Sequence, residues 1–177
     1  MKTNSFLSIL LLFVAVSFTS CDLLDNADDL SFDATLPLDF VINETADNPS
    51  GKSYTDSKLL NAASDPEVAK YASKIKEFKV NKITYTISGA NPNTVTFTNG
   101  TLSVASSGKT IASASLVSLS TTTETELTAD NEGFNELASN LLNDKQELIQ
   151  LAGTLSKTPV TFTVKFKFYV TITADAL

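Results

Sequence analysis

In 177 residues there is no histidine, no arginine and no tryptophan, and there is a single cysteine. Each absence removes a class of chemistry. Without histidine the commonest general base and the commonest transition-metal ligand are missing. A Ser-His-Asp or Cys-His arrangement cannot form, nor can a His-bearing zinc site. Without arginine there is no bidentate clamp for phosphate or guanine. The net charge of −7 also repels nucleic acid. One cysteine makes no intrachain disulfide, so stability has to come from packing.

That cysteine ends the most informative stretch of the chain. Lys2 precedes an apolar run from Phe6 to Phe18, broken only by Ser8 and Ser17, and Thr19-Ser20-Cys21 follows. A charged start, a short apolar stretch and a small-residue exit describe a secretory signal peptide. The run spans about 20 Å as a helix, too short to cross a bilayer comfortably. With Cys21 where a peptidase would look for its site, the leader resembles the lipobox of bacterial lipoproteins. It departs from the strict pattern in having Phe18 where leucine is usual. The resemblance covers the leader alone. It implies that residues 1–20 are removed and that Cys21 becomes an acylated N-terminus, with palmitate-type chains as membrane anchor. It places the protein in the bacterial cell envelope, at the outer membrane, with the face left open. Ordinary secretion with Cys21 as a free thiol is the alternative.

Residues 21–30 form an acidic tether, with Asp22, Asp25, Asp28 and Asp29 and no cation. The acids could attract Ca²⁺, but the glycine turn and distal glutamate of an EF-hand loop are missing. No metal or other cofactor is expected. Without Lys2, 12 lysines face 20 acids over residues 21–177, a net charge of −8, and one domain over 31–177 is long enough for a core of its own.

Within that domain, period-two alternation marks strands. Phe32, Ala34, Leu36, Leu38, Phe40 and Ile42 face one way over 31–43, and Pro37 assigns this strand to an edge or a bulge. Residues 43–57 are turn-rich and read as a loop. Ser64-Asp65-Pro66-Glu67 fits a capping box, opening a helix whose apolar face is Val68, Tyr71, Ala72, Ile75 and Phe78. Lys70, Lys74, Lys76, Lys79 and Lys82 make its other side basic. Ile83, Tyr85 and Ile87 alternate. Asn99-Gly100 predicts a type I′ hairpin turn, pairing Phe97 with Leu102 and Val95 with Val104. A strand over 110–120 and a polar loop over 121–131 follow. A second helix is expected from about Glu132 to Leu151, with Gly153 as its C′ residue. The last strand is the clearest, with Val160, Phe162, Val164, Phe166, Phe168, Val170, Ile172 and Ala174 on one face.

The expected fold is mainly β, or α+β: an antiparallel sheet or β-sandwich with two helices packed on it. The expected role is a lipid-anchored cell-envelope lipoprotein, non-enzymatic, that binds or scaffolds, with the membrane as partner through its lipid and no nucleic acid. One alternative is an apolar-ligand (lipid) binding protein. Its pocket would lie between Phe162, Phe166 and Phe168 of the last strand and Phe134, Leu141 and Leu148 of the second helix. Another is a surface adhesion or carbohydrate-contacting module, motivated by Ser/Thr-rich outward faces. Catalysis would have to rest on carboxylate pairs or Ser-Lys chemistry. The Ser57-Lys58 and Ser73-Lys74 pairs are adjacent in sequence and would not face each other on a helix.

Overall fold

A computed structural model describes residues 29–120 and 122–176. The leader, Cys21 and the tether up to Asp28 lie outside the described residues. The described chain is a β-sandwich of two antiparallel sheets with two α-helices. The strands are β1 (Asp29–Asn48), β2 (Lys52–Asn61), β3 (Ile75–Asn91), β4 (Thr96–Val104), β5 (Thr110–Ser118), β6 (Thr125–Glu126), β7 (Thr128–Ala129), β8 (Gln146–Leu155) and β9 (Thr158–Asp175). The helices are α1 (Pro66–Tyr71) and α2 (Asn131–Asp144). One sheet runs β1-β9-β3-β6 and the other β2-β8-β4-β5-β7. Asp29 and Leu30, the end of the acidic stretch, already pair with Asp175 and Ala174.

β9 is the spine of the first sheet, flanked on both sides by antiparallel partners. Its even residues are buried and its odd residues point outward. β1 lies at the edge, and Pro37, which lacks an N–H, sits opposite Lys167. β3 changes phase along its length. Phe78 and Val80 point inward at even positions, then a register shift between Val80 and Lys82 hands the core to Ile83, Tyr85 and Ile87. A bulge adds one residue and so flips the alternation.

The opposing inner face is built from Leu60, Phe97, Leu102, Val104, Ile111, Val117, Ile149, Leu151 and Leu155, all buried. Phe166 stacks edge-on to Phe40, with ring centroids 5.8 Å apart, and contacts Tyr85 at 6.5 Å. Each such fully buried large side chain contributes about 1.5–3 kcal/mol relative to exposure.

Several sequence expectations are corrected here. The first helix ends at Tyr71, and Ile75 and Phe78 belong to β3. Its cap is Asp65, not Ser64: the Asp65 carboxylate accepts from the Glu67 and Val68 N–H groups at 2.9 and 3.2 Å. The second helix stops at Asp144. Lys145 adopts φ 58°, closing the helix with its N–H on Leu141 O at 2.9 Å. Leu148, Ile149, Leu151 and Ala152 then form β8, where Ile149, Leu151 and Leu155 alternate inward and Leu148 and Ala152 lie on the other face. Gly153 is therefore inside a strand. Asn99-Gly100 is a bulge within β4, where Asn99 takes φ 52° and the register against β8 shifts between Thr98 and Thr101. The core residue changes from odd Phe97 to even Leu102 across it, and the hairpin pairs do not form. Finally, the stretch read as a loop over 43–57 holds the end of β1 and half of β2.

α2 closes one side of the sandwich with Phe134, Leu137 and Leu141 buried against β3 and β5. Its start fits because residue 133 is glycine: a Cβ there would lie 1.9 Å from Thr110 O.

Candidate protein-contact surface at the β2 edge

The six residues proposed to line an apolar pocket are not gathered around one. Phe162, Phe166 and Phe168 are buried on β9, and Phe134 and Leu141 are buried on α2. Leu148 lies on β8 with its side chain 43% exposed. The space between the sheets, lined in part by Tyr85, Phe97, Leu102, Phe162 and Phe166, is about 30 Å³. That is about the room of one water molecule, against several hundred Å³ for a ligand site. Among the described residues, no group of three or more acidic, histidine or cysteine side chains could hold a metal ion.

The surfaces are more informative. The outer face of the first sheet is polar and internally bonded. Glu124 accepts from Thr84 Oγ1 at 2.8 Å, Tyr169 OH at 2.6 Å and Lys167 Nζ at 2.7 Å. These bonds, Lys167 first, hold its carboxyl down to about 2. Lys82 Nζ lies 4.7 Å from the Tyr169 ring centre. Thr171 donates to Asp33 at 2.6 Å and accepts from Asn81 at 2.8 Å. Glu124 thus fastens the crossing between β5 and β6 onto β9. The lysines expected on one basic helix face are distributed instead: Lys70 sits over Tyr71, Lys76 pairs with Asp29 at 2.6 Å, and Lys82 faces Tyr169.

The second sheet ends in an open strand. Among the described residues, β2 pairs only with β8. The Ala62 N–H donates to Lys145 O at 2.8 Å, which sets the phase of the ladder. Even residues of β2 aim their backbone groups at β8, and Ser53, Thr55, Ser57 and Leu59 aim theirs away. The Ser57 N–H accordingly finds only the neighbouring Asp56 carboxylate, at 2.8 Å. Lys58 Nζ lies 3.5 Å from the same carboxylate. On the outward face, Leu59 stands directly opposite Leu148, and they are 52% and 43% exposed. Val41 on β1 is the other large apolar side chain so exposed among the described residues.

On the inward side, Tyr54 packs edge-on to Phe97 at 6.3 Å. Burial and the nearby Asp56 and Glu44 carboxylates push its hydroxyl up to about 12. Lys52 binds Glu44 at 2.5 Å across the turn from β1. Ser57 and Lys58 are consecutive strand residues and so point to opposite faces, which gives no Ser-Lys pair. Sequence reasoning missed β2 because Tyr54 and Leu60 are the large apolar residues on its inner face, with Asp56 and Lys58 between them.

No family model and no curated protein matches the sequence. Three solved structures that align with this chain are viral. The decameric BFDV capsid protein aligns at TM-score 0.45 and 10% identity, over 81% of this chain and 99% of that one. Desmodium yellow mottle tymovirus aligns at 0.38 and 13%, over 84% and 90%. Turnip yellow mosaic virus aligns at 0.35 and 11%, over 84% and 96%. The expected function, a cell-envelope lipoprotein, is corrected here: the three named structures of similar form are viral, one of them a capsid protein. None of the three is titled as an enzyme. At these TM-scores and identities the likeness assigns this chain no function of its own.

Proposed function

We propose that this chain is a non-enzymatic structural module that works by protein contact at the β2–β8 side of its sandwich. The observation that carries it is the exposed Leu59–Leu148 pair beside an open sheet edge. Apolar side chains adjacent on a surface and next to unpaired backbone groups favour a protein partner, which supplies both burial and hydrogen bonds. The filled interior supports the same reading, since it leaves the outer surfaces as the places where another molecule can be met. Chemical crosslinking in the native host tests it. Crosslinks from β2 and β8 to protein are expected, and Leu59→Ser/Leu148→Ser should remove them without lowering the unfolding temperature. Crosslinks unchanged in that variant, or none at β2 and β8 in the parent, would overturn it.

We also propose, on the leader residues alone, that Cys21 is acylated and that its lipid holds the chain at a membrane. This concerns where the chain is held, not what it does there. Three acyl chains at about 0.8 kcal/mol per buried CH₂ would anchor it firmly. Cys21→Ala should lose the mass of the acyl groups and leave the membrane fraction. A mutant that still sediments with membranes would contradict the anchor.

A further inference from the structure

We infer that the partner at the β2 edge is a second copy of this chain, joined antiparallel to itself about a two-fold axis through Ser57. The inference rests on the contact reading above and names its partner. Outward-facing residues of β2 are odd-numbered, so any strand added there pairs odd with odd and even with even. The two-fold therefore passes through one residue, and charge selects which. Centred on Ser57, Asp56 stands opposite the partner's Lys58 and Lys58 opposite the partner's Asp56. Centred on Asp56 or on Lys58, like charges meet on the axis, and centred on Thr55, Lys58 meets the partner's Lys52. Centred on Leu59, the two charges meet leucine and alanine.

In the Ser57 register the Asp56–Lys58 pairs are the non-hydrogen-bonded ones, where Cα atoms approach to about 4.5 Å and side chains are closest. The two Ser57 residues exchange backbone hydrogen bonds. The Asp56 carboxylate, which now caps the Ser57 N–H and lies 3.5 Å from its own Lys58, turns to the lysine of the other copy. β2 contains no proline to interrupt such a ladder. The long edge strand of the other sheet, β1, carries Pro37 in mid-strand. The joined sheets would run continuously through both sandwiches.

Sedimentation velocity on the full chain over a range of concentrations tests this. The parent is expected to dimerise. Asp56→Lys and Lys58→Asp each bring like charges together twice across the axis and should weaken dimerisation about tenfold or more. Mixing those two variants restores both opposite-charge pairs and should yield a heterodimer, which misfolded proteins would not form. Ser57→Pro removes an N–H that β8 does not use and should give a folded monomer. A parent that stays monomeric, single variants that dimerise like the parent, or a mixture that does not associate would each overturn the inference. If the parent is monomeric while the leucine-dependent crosslinks to another protein persist, the contact reading survives and the self-pairing alone fails.

Discussion

The ring of Phe97 lies over Gly153 on the neighbouring strand, so close that a Cβ on the glycine would come within 2.3 Å of Phe97 Cζ. Glycine in a strand interior marks a site where another group approaches closely. Gly153→Ala is therefore expected to cost about 1–3 kcal/mol through overpacking. Because the obstacle is a side chain, adding Phe97→Leu should recover part of the loss. Urea unfolding of the single and double variants checks both statements; additive losses would contradict the contact.

Gly133 presents a harder obstacle. A Cβ there meets Thr110 O at 1.9 Å and Ile111 Cα at 2.7 Å, both backbone atoms that no rotamer change can move. Gly133→Ala should lift the start of α2 from β5 and destabilise the fold by about 3 kcal/mol. Hydrogen exchange should quicken in α2 and β5 first. A variant as stable as the parent would contradict this docking.

At Asn99 the expected behaviour distinguishes a bulge from a hairpin tip. Its φ of 52° suits glycine and asparagine, whereas a β-branched residue is strained there by about 1–2 kcal/mol. Asn99→Gly should leave the unfolding midpoint nearly unchanged and Asn99→Val should lower it. Exchange protection should persist on both sides of residue 99, as befits a strand running on.

Glu124 gives the fold a defined acid sensitivity. Its carboxyl is held at about 2 against an ordinary value of 4.5, by hydrogen bonds from Lys167, Tyr169 and Thr84. A carboxyl lowered in the folded state adds stability above its unfolded value, and that stability fades as pH falls toward the folded one. The urea midpoint of the parent should drop between pH 4.5 and 2 more steeply than that of Glu124→Gln. Parallel pH profiles would show that Glu124 fastens nothing.

How much of this was legible in the sequence depended on whether one period ruled a segment. β9 alternates throughout and β1 does so with Val41 the exception, so their inward residues are legible directly, and Pro37 narrows β1 to an edge or a bulge. β3 and β4 each change phase at a bulge, and a pattern that flips midway is easily broken into separate elements. Leu148 to Ala152 has a helical spacing of apolar residues, and only the packing of Ile149 and Leu151 between the sheets decides for a strand. β2 left almost no trace, because an edge strand with Asp56 and Lys58 toward the rim has little apolar signal. The contact surface was missed for the same reason. The spacing of Leu148 fits a helix face, and its partner Leu59 acquires meaning only through the β2–β8 register.

The claim that this chain works through its outer surfaces, not through an interior site, is tested most directly by native mass spectrometry of the purified full chain. The expected spectrum contains dimer and monomer at the masses of the chain and its covalent modifications, with nothing else retained. A stoichiometric apolar ligand of several hundred daltons, released on unfolding, would contradict it, since the interior of about 30 Å³ has no room for one.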